Sequence, residues 1–185
     1  MAFSLKITLV TALLLLTACS SDPIRFHTLT PAQPGVASSS GAEIQIEAIT
    51  VPPQVDRPQI VIRQGNAGLA ILETEWWGAS LVDELRSALV DQLVNNNLQR
   101  RVSLRLDVQR FDSIPGQYAL IDVRWRLRSL GNGDAALISC RSTLQTPSGP
   151  NIDDLVVAHQ NNVKRLAAAI SQTVMGASRG CPSAK

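Results

Sequence analysis

Two consecutive stretches, RVSLRLDVQRF (101–111) and YALIDVRWRLRSL (118–130), alternate apolar and polar side chains position by position. Successive side chains of a strand project to opposite faces, so a long period-two pattern excludes helix and demands a sheet buried on one side. Val102, Leu104, Leu106 and Val108 take one side of the first stretch, and Ala119, Ile121, Val123, Trp125 and Leu127 one side of the second. The turn GNGD (131–134) then leads into a third strand over about 135–145. Together they predict an antiparallel meander with a single apolar face.

That face needs a cover, and two segments have the matching period of 3.6. Ser80 can cap a first helix, with Asp83 three residues on as a weaker capping box. Leu81, Val82, Leu85, Ala88, Leu89 and Leu93 fall on one side of it, and Asn95 to Asn97 end it. A second helix over about 153–174 carries Val156, Val163, Leu166, Ala167, Ile170 and Val174 as its stripe. Upstream, EIQIEAITV (43–51) alternates as a strand through Ile44, Ile46 and Ala48. PPQVDRP cannot continue a central ladder, because Pro52, Pro53 and Pro58 lack amide donors. QIVIR and LAILE flank QGNAG, a hairpin signal with Gly65 and Asn66 at the tip. The proline-rich loop, with Pro52, Pro53, Asp56 and Arg57, and the hairpin after it form one candidate contact surface: Ile60, Ile62, Leu69 and Ile71 are expected on one side of this hairpin and Val61 on the other, and such an apolar ribbon marks a partner unless the first helix covers it. Trp76 and Trp77 are read at the helix start, one as core and the other as an interface anchor. The order predicts an α/β or α+β domain: a mixed sheet of about five strands covered by two long amphipathic helices.

The first residues concern location. After Lys6 comes an apolar run, 7–16, broken only by Thr8 and Thr11. Ten helical residues reach about 15 Å, half of a ~30 Å hydrocarbon core, so the run has the proportions of a signal peptide rather than a span. It ends LTAC, which resembles a bacterial lipobox, and this favours lipidation of Cys19 over an ordinary buried thiol beside a conventional cleavage site. Residues 1–18 are then a lipoprotein signal peptide and 19–42 a lipidated N-terminus and tether, in which IRFHTL can add a short edge strand. Residues 43–176 are the folded domain and 177–185 a C-terminal tail. More than one acyl chain gives durable attachment. Ser20 stands where an Asp would signal inner-membrane retention, so the expected location is the outer membrane, facing the periplasm. Nucleic acid is not an expected partner there, and a formal charge of +2 adds little. Cys140 and Cys181 either pair, as leftover thiols in an oxidising compartment often do, or remain one buried and one tail thiol.

Chemistry is hard to find in the remaining residues. His27 and His159 lie far apart without carboxylate or thiolate partners at ligand spacing, and His159 falls on an apolar helix stripe, where a satisfied, partly buried imidazole is expected. Asp153 and Asp154 suit a helix N-terminus. No phosphate-binding glycine loop and no nucleophile–base pair stands out. No catalytic residue, metal or cofactor is therefore expected, and the chain does not read as an enzyme. One charge pattern is informative: eight arginines against four aspartates between Arg100 and Arg141. Arg124, Arg126 and Arg128 oppose the face of Val123, Trp125 and Leu127, as Arg101 and Arg105 oppose Val102 and Leu104. The plainer reading is a solvated face with cross-strand partners such as Asp107 and Asp122. The other is a docking surface for an acidic protein or for lipid phosphates.

ITVPPQVDRPQIVIR resembles the most recognisable stretch of the ABC-type transport auxiliary lipoproteins, the PqiC/YmbA-like outer-membrane lipoproteins. The matching positions are Val51, Pro52, Pro53, Asp56, Arg57, Pro58, Gln59, Val61 and Arg63. RFHTL is similar to the family's aromatic-aromatic-x-Leu through Phe26 and Leu29, with His27 replacing an aromatic. WWGASL is similar to its Trp-Ala-x-Pro-Leu through Trp77 and Leu81, departing at Gly78 and Ser80. The resemblance implies a non-enzymatic auxiliary component of an MCE-type ABC system that moves phospholipid or other hydrophobic cargo across the periplasm. Its implied partner is an MCE-domain protein, with permease and ATPase reached indirectly, and a homo-oligomer is expected. The alternative is an envelope lipoprotein that braces outer-membrane complexes without cargo.

Overall fold

The computed structural model describes residues 22–32, 44–94, 102–130, 137–174 and 181. Along them run β1 (Arg25–His27), β2 (Ile44–Thr50), β3 (Gln59–Gln64), β4 (Gly68–Trp77), α1 (Leu81–Val94), β5 (Val102–Ile114), β6 (Tyr118–Ser129), β7 (Leu137–Pro147) and α2 (Ile152–Val174). The architecture is mixed α+β, but the strands form two sheets where one of about five strands was expected. β2-β5-β6-β7 make a four-stranded sheet and β1-β4-β3 a three-stranded one. The division falls at the proline-rich loop between β2 and β3, whose missing donors stop the hairpin from extending the ladder of β2.

In the large sheet β5, β6 and β7 are antiparallel neighbours, and β2 adds in parallel to β5. Leu104 faces Leu127, Leu106 faces Trp125 and Val108 faces Val123 across one side. A bulge between Val108 and Arg110 then inserts one residue, so the buried positions change parity to Phe111 and Ser113, opposite Ile121 and Ala119. A second bulge between Ile46 and Ala48 does the same in β2, leaving Ile49 rather than Ala48 as its buried residue. Both helices lie over this side, α1 through Leu81, Leu85, Ala88, Leu89 and Leu93, and α2 through its apolar stripe. Trp125 is wholly buried beneath them, its indole N–H donating to Ser142 Oγ at 3.0 Å. Ser80 caps α1: its Oγ accepts from the Asp83 amide at 3.2 Å. A disulfide joins Cys140 in β7 to Cys181 beyond α2, with Cα atoms 5.4 Å apart.

One further expectation is corrected. Trp76 and Trp77 end strand β4 rather than begin the helix, because β1 and the start of β3 supply them with ladder partners. The short edge strand expected in IRFHTL is β1, which pairs in parallel with the end of β4, and Leu29 just after it is fully buried. Asn95 to Asn97, the expected end of the first helix, and the GNGD turn lie outside the described residues.

Candidate functional site

Among the described residues no three His, Cys, Asp or Glu side chains converge as metal ligands, and no helix is long and apolar enough to cross a membrane. The proposed anchor residue, Cys19, lies outside them.

The proline-rich loop is knitted into the fold. Val55 N–H donates to Pro52 O at 3.0 Å, and Trp77 N–H to Pro58 O at 2.7 Å. Pro52 and Val55 are buried, Pro53 and Asp56 exposed, and Arg57 is half-buried with its Nε lacking a partner. Ile60 is buried and Ile62 packs against the core. Pro52, Ile60 and Trp77 are therefore core rather than contact positions: the loop and first hairpin strand close one end of the domain. The expected apolar ribbon is also absent. The register sets Val61 opposite Ile71 and Arg63 opposite Leu69, while Ile62 faces Ala70. Opposed residues share a face, so Leu69 and Ile71 lie on the side of Val61, away from Ile62. Of the tryptophans, Trp77 is core, packed edge-on against Phe111. Trp76 is half-buried and meets exposed Phe26 edge-on, ring centroids 6.3 Å apart.

The outer side of the large sheet is a different kind of surface. Arg105 stands directly opposite Arg126, and Arg124 opposite Arg141. Acids neutralise part of this row. Asp122 is buried and accepts from Arg141 Nε at 2.8 Å and from Thr143 Oγ1 at 3.3 Å; the guanidinium bonds hold its carboxyl below the usual range against the opposing effect of burial. Arg105 reaches Glu47 at 3.3 Å. Asp107, opposite Arg124, instead accepts from Thr50 Oγ1 at 2.8 Å. Arg124, Arg126 and Arg128 are exposed and make no ion pair with any described residue. Like charges set side by side on strands repel, so this row lowers stability unless an anion covers it.

His159 is fully buried, more deeply than expected, and only half satisfied, its Nδ1 having no hydrogen-bond partner among the described residues. Its ring stacks on Phe111 with centroids 4.0 Å apart, and Nε2 lies 2.8 Å from Ser113 Oγ. Desolvation pushes its pKa down to about 3, so it is a neutral core residue. A nearby cleft bordered by Val55, Val61, Leu69 and Asp112 has a volume of about 30 Å³, far too small for an acyl chain.

Sequence reasoning overlooked a cluster that fastens the N-terminal segment. Arg25 pairs with Glu75 at 3.3 Å and with Asp153 of α2 at 2.8 Å, and His27 Nε2 lies 2.5 Å from Glu75. Buried Glu84 of α1 accepts from the Leu29 amide at 2.8 Å and from Thr28 Oγ1 at 2.7 Å. Gly78 stands close by, where an added Cβ would come within 3.2 Å of the Glu84 carboxylate. These partners lie 48 to 128 positions apart in sequence, so no local pattern signals them.

The family model for the ABC-type transport auxiliary lipoprotein component matches residues 27–171, from β1 to the last turns of α2. The chain belongs to this family. The match starts inside β1, in keeping with a lipoprotein domain that includes the fastened N-terminal segment. Two crystal structures share the fold. One is of an uncharacterized protein, at TM-score 0.69 and 16% identity over 83% of this chain and 99% of that one. The other is a Xanthomonas campestris protein of the DUF330 family, at TM-score 0.57 and 20% identity over 83% and 93%. No curated protein matches the chain significantly.

Proposed function

We propose that this auxiliary lipoprotein is a non-enzymatic scaffold held at the outer membrane through lipid on Cys19, where it docks an MCE-type ABC system moving phospholipid or other hydrophobic cargo through the periplasm. The observation that carries the reading is the family match, which spans nearly all of the described fold. Ser20 after Cys19 supports the outer rather than the inner membrane. The uncompensated row of Arg124, Arg126 and Arg128 supports a docking role, since guanidinium groups on a rigid sheet suit carboxylates of an acidic partner surface.

The test is gentle extraction of the native protein with and without its lipid. The full chain is expected to co-purify with an MCE-domain protein, and Cys19→Ala is expected to fold yet leave the membrane fraction. Isolation of the acylated protein as a monomer free of any MCE-domain protein would sink the transport reading.

A further inference from the structure

The start of the described chain leaves an apolar aromatic pair unexplained by packing. Phe26 is 66% exposed and Ile24 46%, although the ends of edge strands are ordinarily polar. Phe26 is held in place, because β1 pairs Arg25 with Glu75, Phe26 with Trp76 and His27 with Trp77. Trp76 is held too: its indole N–H donates to Glu73 O at 2.9 Å, leaving the ring against Phe26. The pair is thus a fixed feature of the surface at the point where the chain enters the fold.

Cys19 stands six positions before Arg25. Even fully extended, six residues reach no more than about 22 Å. The reach ends on a strand bound to the rest of the domain through Glu75, Asp153 and Glu84, so the strand cannot swing away from it. An acyl group on Cys19 therefore keeps this edge within a short distance of the bilayer surface. Aromatic rings with an apolar body and, in tryptophan, a polar N–H favour the headgroup level of a membrane.

We propose that Ile24, Phe26 and Trp76 form a membrane-seating foot, inserted at the lipid headgroup level beside the anchor, which fixes how the domain stands on the bilayer. The acyl chains supply retention, and the foot supplies orientation. This rests on lipid attachment at Cys19.

Trp76, Trp77 and Trp125 are the three tryptophans, and the other two are buried. Lipid-dependent fluorescence changes therefore report on Trp76. The full acylated protein is reconstituted into vesicles of phosphatidylethanolamine and phosphatidylglycerol whose acyl chains carry bromine near the headgroup. The expected result is quenching by these lipids, lost in Trp76→Phe and reduced in Ile24→Ser/Phe26→Ser, with all three proteins still floating with the vesicles. Co-flotation without lipid quenching, with Trp76 open to aqueous acrylamide as in detergent, overturns the foot and leaves the anchor intact. Protection of Trp76 only after an MCE-domain protein is added overturns it in favour of a protein contact. An unacylated N-terminal peptide by mass spectrometry, with no flotation, overturns anchor and foot together.

Discussion

Acid should destabilise this domain through one histidine before it protonates most carboxylates. His159 is closed off from water against Phe111, with a folded-state pKa of about 3 against an ordinary 6.5. Between those values the unfolded chain binds a proton that the folded chain refuses. The contribution to stability is therefore complete above pH 6.5 and is lost progressively as pH falls toward 3. Taking RT ln(1 + 10^(6.5 − pH)) for the unfolded state, the loss is about 2 kcal/mol at pH 5 and about 3 kcal/mol at pH 4. Urea titrations of the wild type at pH 7 and pH 5 should differ by about that first amount. The matched control is His159→Phe/Ser113→Ala, which replaces both partners of a buried hydrogen bond by apolar groups and so leaves neither unsatisfied. The double variant should show almost none of the fall between pH 7 and pH 5; an equal fall in both proteins would refute the assignment.

Charge reversal of Arg124, Arg126 and Arg128 to Glu should leave the thermal midpoint within a few degrees of wild type, since these exposed side chains pair with no described residue, while pull-down of the proposed MCE-domain partner is lost. Replacing Cys140 and Cys181 by Ser opens a loop closed across a separation of 41 residues. Chemical denaturation should register a loss of about 4 kcal/mol on the chain-entropy account. Glu84→Ala strands the buried Leu29 amide, and should cost about 1–3 kcal/mol, with faster hydrogen exchange at that amide.

The elements most visible in the sequence are those whose period runs long enough to be read. The alternation around Leu104 and Trp125 and the stripe from Val156 to Val174 specify β5, β6 and α2 within a few residues, because one-sided burial writes itself into every second or every third and fourth position. The pattern fails where a single residue is inserted. The bulges after Ile46 and Val108 reverse which parity is buried, and neither carries a glycine to announce it. TEWW was misread because a strand end and a helix start both accept paired aromatics, and the strand prevails only through β1, some fifty positions away. The arginine row was legible as a face, and so was Asp122 as a cross-strand partner on it; that Asp122 serves Arg141, and that Asp107 bonds Thr50 instead of an arginine, depends on strand register. The ties of the N-terminal segment to Glu75, Glu84 and Asp153 are wholly tertiary, and a stretch rich in Ser and Pro therefore reads as tether up to the point where it packs.

The surfaces assigned to membrane and partner lie on different sheets, so the contacts between those sheets decide whether placement at one is felt at the other. Asp112 is the main polar link. It is buried in β5, accepts from Arg63 Nε of β3 at 2.7 Å, and also pairs with Arg110 of its own strand. The carboxylate raises the pKa of Arg63 through this bond, as expected of a charge-assisted hydrogen bond. Arg63→Met keeps the aliphatic stem but removes the cross-sheet donor, leaving Asp112 to Arg110 alone. One hydrogen bond to a charged group is worth about 1.5–3 kcal/mol, so the stability of the hairpin sheet should fall by that amount. The more telling measurement is its distribution. Hydrogen exchange should accelerate in β3 and β4 while β5 to β7 stay protected, because the hairpin sheet loses its tie and the large sheet does not. A uniform loss of protection across both sheets would mean that they unfold as one unit through apolar contacts alone, and that Asp112 links nothing mechanically.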